Sequence, residues 1–158
     1  MAEGKKKKKP KVPPPPTEDA VELLVQELTQ REPEATAERR LEIVLEIREG
    51  ILRLGGINVA WDQLTHTRKG YGAHAGLQVL VSMLGGVQVD DAKPPNIDRT
   101  CIEPAAQLLA FFCNFKQYAK VIAKTKKMLP VLVGVLKDWK CTGTARASAT
   151  WVLRRCTE

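Results

Sequence analysis

Apolar residues recur along this chain in one repeated frame, with apolar side chains at positions 1, 3, 4, 5 and 8 of an eight-residue stretch. The frame is clearest at Leu129–Leu136, has a close copy at Leu77–Leu84 and a weaker copy at Ile57–Leu64. Positions 1, 4, 5 and 8 share one face of a helix, and position 3 adds a second apolar face. The pattern predicts helices covered on two sides, as in a stacked array, and such arrays usually bind other molecules.

The same periodicity predicts further helices on either side of these copies. One follows Thr17, its predicted N-cap, and another runs from Glu34 to about Leu54, where Gly50 is a point of division and Gly55-Gly56 is the end. The remaining predicted helices span residues 99–115, 116–126 and 144–156, the first with Pro104 in its first turn. No strand pattern occurs, so the predicted fold class is all-α.

Three segments are predicted to be loops, one of them residues 139–143, and the N-terminal segment is predicted to be a tail. Residues 66–72 form a loop, while residues 86–98 are acidic, broken by Pro94-Pro95 and long enough to be an insertion. Residues 1–16 combine five consecutive Lys with four consecutive Pro, a composition that favours an extended, disordered tail. The predicted organisation is therefore a tail at 1–16 and one helical domain at 17–158.

Charge is divided unevenly along the chain. The net charge is +5 over residues 1–16, −6 over residues 17–115 and +8 over residues 116–158. Both ends of the chain are basic and the middle is acidic. This distribution says more about binding than the net charge of +7 does.

Cysteine and histidine spacing predicts no metal site and no cofactor. The four cysteines form no CxxC pair, His66 and His74 are eight residues apart, and the cysteines are expected to be reduced. No apolar run reaches the roughly 20 residues that a membrane span needs, and the N-terminus lacks the apolar segment of a secretory signal. Phosphate-binding glycine loops, HExxH and GxSxG are also missing, which argues against an enzyme.

Four stretches resemble parts of an armadillo repeat. Residues 51–57 (ILRLGGI) resemble the join between the first two helices of that repeat, and Leu129–Leu136, with its Pro130, resembles the second helix. Residues 147–156 and 108–115 resemble third helices. Over residues 34–158 the likeness implies a short, right-handed armadillo-like array, with HEAT-like helix pairs as a close alternative.

The resemblance also implies where a partner would bind. Third helices of the family line a groove for an extended peptide, with a Trp and an Asn four residues apart as its ladder. Here Trp151 stands at the Trp position with Arg155 at the Asn position, and Asn114 stands at an Asn position with Ala110 in place of Trp. The first unit has glutamates at both places, so the predicted groove residues are Glu42, Glu46, Asn114, Trp151 and Arg155. Arg155 is expected to stack on the Trp151 ring or to hold an acidic partner.

Two basic stretches carry the competing hypothesis, binding of a polyanion such as nucleic acid or an acidic tubulin tail. The first is the tail run, which equally reads as a nuclear import signal or a solubilising tail. The second is a helix face, although lysines at this spacing more often form an ordinary solvated surface. Their lysines are Lys5, Lys6, Lys7, Lys8, Lys9, Lys11, Lys116, Lys120, Lys124 and Lys127.

The predicted function is non-catalytic protein–protein binding, as an adaptor or structural subunit of a larger assembly; the alternative is polyanion binding. The predicted location is the cytoplasm, with a cytoskeletal or ciliary role included, or the nucleus. Trp61 is expected in the core. The end of the array around Ala147, Ala149, Trp151 and Leu153 is expected to be apolar and covered by a partner or by self-association.

Overall fold

A computed structural model describes residues 18–30, 35–85, 101–138 and 141–158, and in these ranges the secondary structure is helical. The helices are α1 Glu18–Leu28, α2 Ala37–Leu54, α3 Ile57–Thr65, α4 Ala75–Gly85, α5 Ile102–Phe112, α6 Lys116–Lys124, α7 Met128–Lys137 and α8 Gly143–Cys156. The described residues contain no strand, only an isolated bridge between Arg68 and Gly72. The prediction of an all-α fold is confirmed for them.

Several predicted features lie outside the described residues. They are the tail at 1–16 with its lysine run, the N-cap Thr17 and the loop at 86–98.

The helix ends follow local sequence chemistry. The hydroxyl of Thr36 accepts the backbone N–H three residues ahead at 3.1 Å and caps α2, and Thr142 caps α8 in the same way at 3.1 Å. Gly55 ends α2 at φ 72°, a left-handed conformation that costs glycine little. Gly50 does not divide α2, which continues to Leu54.

The helices pack in two series. Helix α4 contacts α1 and α7, and helix α5 contacts α2 and α8. The pairs α4–α5 and α7–α8 join the two series. Helix α3 packs on α1 and α4, while α6 packs on α7 and α8.

The two best copies of the apolar frame differ in how far they are buried. In α4 all five frame positions are buried, from Leu77 to Leu84, so two-sided coverage is confirmed there. In α7 only Leu132 among the frame positions is fully buried, and Val133 is 38% exposed. The prediction is therefore wrong for one face of α7, because among the described helices none covers Val133.

Glycine permits the closest approach between the α3 and α4 backbones. A Cβ added at Gly76 would lie 2.8 Å from the Cα of Leu64, well inside van der Waals contact. Gly85 plays a similar part between α4 and α7, where an added Cβ would meet a Val131 methyl at 2.8 Å. These two positions set how closely α4 packs on both neighbours.

The expected apolar surface at the end of the array is corrected in part by the structure. Ala149 is fully buried and Leu153 packs, half-buried, against the core, so neither is open to a partner. Ala147 and Trp151 are exposed as expected, but the outer side of α8 also presents Arg146, Thr150 and Arg154, which are exposed and polar. Residues 146, 150 and 154 share one helix face, which makes that face hydrophilic.

Candidate functional site

A cleft of about 440 Å³ lies where α2, α5 and α8 meet, and we call it the α2–α5–α8 cleft. All three helices contribute to the wall, together with Asn114, which lies just after α5. The lining residues are Arg48, Gln107, Ala110, Phe111, Asn114, Ser148 and Trp151. Because α5 contacts both other helices, it forms the central wall.

Two residues predicted for the groove meet directly in this cleft. The indole Nε1 of Trp151 donates a hydrogen bond to the side-chain oxygen of Asn114 at 3.2 Å, across 37 positions of sequence. Trp151 remains 39% exposed, which is unusual for so large an apolar ring. The bond fixes the ring in an orientation that leaves apolar surface open to a ligand.

Arg155 is the third predicted groove residue, and it lies beside the same ring. Its Cζ atom is 5.8 Å from the Trp151 ring centroid, within the range of a cation–π contact. Its Nε donates to the carbonyl of Cys113 at 2.9 Å, and its Nη1 lies 2.8 Å from a carboxylate oxygen of Glu158. The expected stacking is therefore present. Arg155 is held by the protein and supports the ring from one side.

The side chains of Cys113 and Cys156 lie beside Arg155, and the Cys156 thiol donates to the carbonyl of Ala119 at 3.6 Å. Interaction with Cys113 lowers the pKa of Cys156. The same interaction, with burial, raises the pKa of Cys113 well above its ordinary range. The pair thus lies between the C-terminal ends of α5 and α8.

Arg48 is a cleft residue that sequence reasoning missed. Its Nη1 donates to the side-chain oxygen of Gln107 at 2.5 Å, and its Nη2 lies 3.7 Å from a carboxylate oxygen of Glu49. The signal was in the sequence, since Arg48 follows Leu41 by seven positions and Val44 by four. It is thus a charged residue on an apolar stripe.

The structure does not bring the two predicted glutamates into the cleft. Ile43 and Ile47 are buried, so Glu42 and Glu46 lie on the other, exposed side of α2. Glu42 instead receives a hydrogen bond from Arg39 at 3.0 Å. The rotation of α2 about its axis, which α1 and α5 determine, replaces the predicted acidic end of the groove with Arg48.

Arg39 also ties α2 to α1. Its Nε and Nη2 donate to both carboxylate oxygens of Glu27, at 2.5 and 2.8 Å. This paired hydrogen bond holds the pKa of Glu27 below its usual value. The contact helps to fix the rotation of α2 that points Glu42 away from the cleft.

The predicted basic face of α6 is present and exposed. Lys116, Lys120 and Lys124 lie at four-residue intervals along α6, whereas Lys127 follows that helix as the N-cap of α7 at φ 66°. Phe115, which sequence reasoning passed over, is 40% exposed at the start of the same helix. The face thus combines lysines with one exposed aromatic ring.

Trp61 is a core residue, as the frame predicted. It is 7% exposed, and its ring stacks on that of Tyr118 with centroids 4.2 Å apart. The Tyr118 hydroxyl donates to the side chain of Asn58 at 2.8 Å, and burial raises its pKa. This cluster anchors α6 to α3 and leaves Trp61 no part in the cleft.

A larger and more polar cleft, of about 910 Å³, lies between α1 and the loop that follows α3. Leu23, which is 66% exposed, borders it on α1, and Arg68 and Lys69 border it on the loop. Burial lowers the pKa of Arg68, whose Nη2 donates to Gln63 at 3.1 Å. This second cleft contains none of the predicted groove residues.

Neither a metal site nor a membrane span is found in the part of the chain that the structure describes. No group of three or more His, Cys, Asp or Glu side chains there is arranged to hold a metal ion. Among the same residues, no helix is both long and apolar enough to cross a membrane. Comparison of the chain with protein-family models, with curated proteins and with solved structures returned no match.

Proposed function

We propose that this chain is a non-catalytic protein–protein interaction module, an adaptor or structural subunit of a larger assembly. The α2–α5–α8 cleft is its binding site, and the occupant is an extended segment of the partner. The observation that carries the proposal is the hydrogen bond between Trp151 and Asn114. It holds an exposed aromatic ring beside side-chain amides in the wall of the cleft. Aromatic anchors and amides that bond a peptide backbone are what such a segment requires.

The helix contacts favour an armadillo-like array as the framework of this module. In the proposed assignment, α3–α5 and α6–α8 are two units of three helices, and α1–α2 act as the second and third helices of another unit. This assignment places residues 51–57 between a third helix and a first helix, and not between the first two helices as their resemblance implied. The series α2–α5–α8 then corresponds to the third helices, which line the groove in that family. The same assignment makes α4 and α7 equivalent second helices, in agreement with their shared frame.

The test begins with selection of binders from a library of random-sequence peptides on the immobilised full chain. The affinity of a selected peptide is then measured by fluorescence anisotropy for Asn114→Ala and Trp151→Ala. We expect each variant to bind about tenfold more weakly or worse, since a central aromatic anchor carries much of such an interface. Val133→Ala is the matched control, because Val133 is 38% exposed, close to the 39% of Trp151, and lies outside the cleft.

The outcome that contradicts the proposal is equally definite. If selected peptides bind all three variants as tightly as the parent chain, the α2–α5–α8 cleft is not the binding site. Melting temperatures of the variants, followed by circular dichroism, separate lost binding from lost folding.

The alternative function, polyanion binding, is favoured by the exposed lysines of α6 together with Phe115. A salt titration with a single-stranded oligonucleotide and with a poly-glutamate peptide tests it. Affinity that falls steeply between about 50 and 200 mM salt supports this function, because counterion release is strongly salt-dependent. Lys116→Gln/Lys120→Gln/Lys124→Gln and a second variant with residues 5–9 changed to Gln then show which basic stretch is responsible.

Location and self-association stay predictions. The cytoplasm, with the cytoskeleton or cilium included, and the nucleus are both compatible with a binding module that has basic segments. Self-association through α8 would have to use Ala147 and Trp151, since Ala149 is buried. Sedimentation at increasing protein concentration tests it, and a chain that stays monomeric counts against it.

A further inference from the structure

The α2–α5–α8 cleft has an uneven charge. Among the seven described residues that line it, Arg48 alone carries a charge and none is acidic. The other polar groups are the amides of Gln107 and Asn114 and the hydroxyl of Ser148, which are neutral. The wall is therefore electropositive on the α2 side and apolar near Phe111 and Trp151, although the chain carries net negative charge over residues 17–115.

The guanidinium of Arg48 is only partly neutralised by the protein. Its closest acceptor, Gln107, is an uncharged amide, and the carboxylate of Glu49 lies 3.7 Å away, beyond a good hydrogen bond. Its Nε is buried, so a carboxylate in the cleft would bond the Nη1 and Nη2 groups. These two groups carry four of the five guanidinium donors, and the bond to Gln107 uses one of them.

The distance between the charged end and the aromatic end of the cleft matches a short extended peptide. Gln107, which holds Arg48, and Asn114, which holds Trp151, are seven positions apart near the end of α5, a rise of about 10 Å along a helix. An extended peptide covers that distance in about three residues. Side chains two or four residues apart point to the same side of an extended chain, so one segment can reach both ends.

We propose that the cleft selects extended partner segments with an acidic residue and an apolar residue two or four positions apart. The carboxylate pairs with Arg48, the apolar side chain rests on Trp151, and the amides of Gln107 and Asn114 bond the peptide backbone between them. This inference rests on the proposed function and goes beyond it by assigning the chemistry of the partner: an acidic–apolar segment instead of a basic one.

The experiment exchanges one atom group on the peptide and leaves the protein unchanged. Each peptide selected from the random library is remade with its acidic residues changed singly to Gln, and both forms are titrated into the full chain. We expect one Glu→Gln or Asp→Asn change to weaken binding about tenfold, since a hydrogen bond to a charged group is worth at least that factor. The apolar partner residue is located in the same way by exchange for Ala.

A double-mutant cycle then identifies Arg48 as the partner of that carboxylate. In Arg48→Gln the acidic and neutral peptides should bind equally, while Arg48→Lys should retain part of the preference. Arg154→Gln is the matched control, because Arg154 is exposed on α8 and does not line the cleft. It should leave the tenfold preference intact.

The outcomes separate failure of this inference from failure of the proposed function. If neutral peptides bind the parent chain as tightly as acidic ones, with Trp151 still required, the inference is wrong and the proposed function stands. Selected peptides that are basic, or that bind as helices, overturn it as well. If no selected peptide depends on Trp151 or Asn114, the proposed function itself fails. The peptide exchange remains decisive even if Arg48→Gln does not fold.

Discussion

At the scale of single residues, the functional candidates are held by neighbours that are remote in sequence. Trp151 is oriented by Asn114, and Arg155 by the carbonyl of Cys113, so α8 presents its ring through contacts with the end of α5. The thiol pair Cys113–Cys156 belongs to the same junction. Because all these contacts join two helix ends, a change at one residue should be measurable at the others.

The thiol pair gives a prediction whose sign follows from the direction of the pKa shift of Cys156. Cys113→Ala removes the side chain that lowers the pKa of Cys156, so that pKa should rise. The pH midpoint for alkylation of Cys156 by iodoacetamide, followed by mass spectrometry of the peptides, should move upward. Cys113→Ser keeps a donor and should move it less. An unchanged or lower midpoint in Cys113→Ala would show that the two thiols do not interact as described.

At the scale of the helices, two kinds of local sequence signal determine stability, and one of them is the N-cap. Thr142 accepts the Ala145 backbone N–H at 3.1 Å and so satisfies a donor that α8 itself leaves open. Thr142→Ala should cost about 1 kcal/mol of unfolding free energy. Thr142→Ser retains the acceptor and should cost much less. Urea titration measures both, and equal losses would show that the hydroxyl does not act as a cap.

The other signal is glycine where helices touch. Gly76→Ala would force a methyl group to 2.8 Å from the Leu64 Cα, so α3 and α4 must separate. We expect a loss of about 1–3 kcal/mol in the free energy of unfolding, the usual cost of overpacking. Gly143→Ala is the control, since an added Cβ there meets no atom within 4 Å. A Gly76→Ala chain as stable as the control would contradict the close α3–α4 approach.

At the scale of the whole molecule, one connected core runs through every described helix. It extends from Val21 in α1 through Leu80 and Phe112 to Val152 in α8. Each helix contributes to the same buried cluster, and α4 and α5 join the earlier helices to the later ones. The cleft is thus formed by three helices that cannot separate without opening this core.

Continuity of the core predicts one cooperative unfolding transition. Far-UV circular dichroism reports all helices, and tryptophan fluorescence reports chiefly the surroundings of residues such as Trp61 and Trp151. The two signals should give coincident urea curves if the chain unfolds as one unit. Two separate transitions would mean that α1–α5 and α6–α8 unfold independently, as weakly coupled repeats do.

Most helices of this chain could be predicted from the sequence because the signals that define them are local. Apolar spacing located α4 and α7, Thr and Gly set helix ends, and Pro104 was correctly expected in the first turn of α5. Each of these signals acts within a few residues of chain, so no knowledge of packing is needed to read it.

The composition of the cleft was decided by tertiary structure. Asn114, Trp151 and Arg155 could be named from the sequence, but their mutual contacts depend on how α5 packs on α8. Whether α2 presents Arg48 or the two glutamates, Glu42 and Glu46, to the cleft depends on the rotation of α2 about its axis. Successive side chains on a helix point in directions about 100° apart, so a small rotation of the helix moves a side chain from solvent to an interface. Only the neighbouring helices fix the rotation of α2. Local periodicity therefore determined which segments are helices, while packing between distant helices decided which side chains share the cleft.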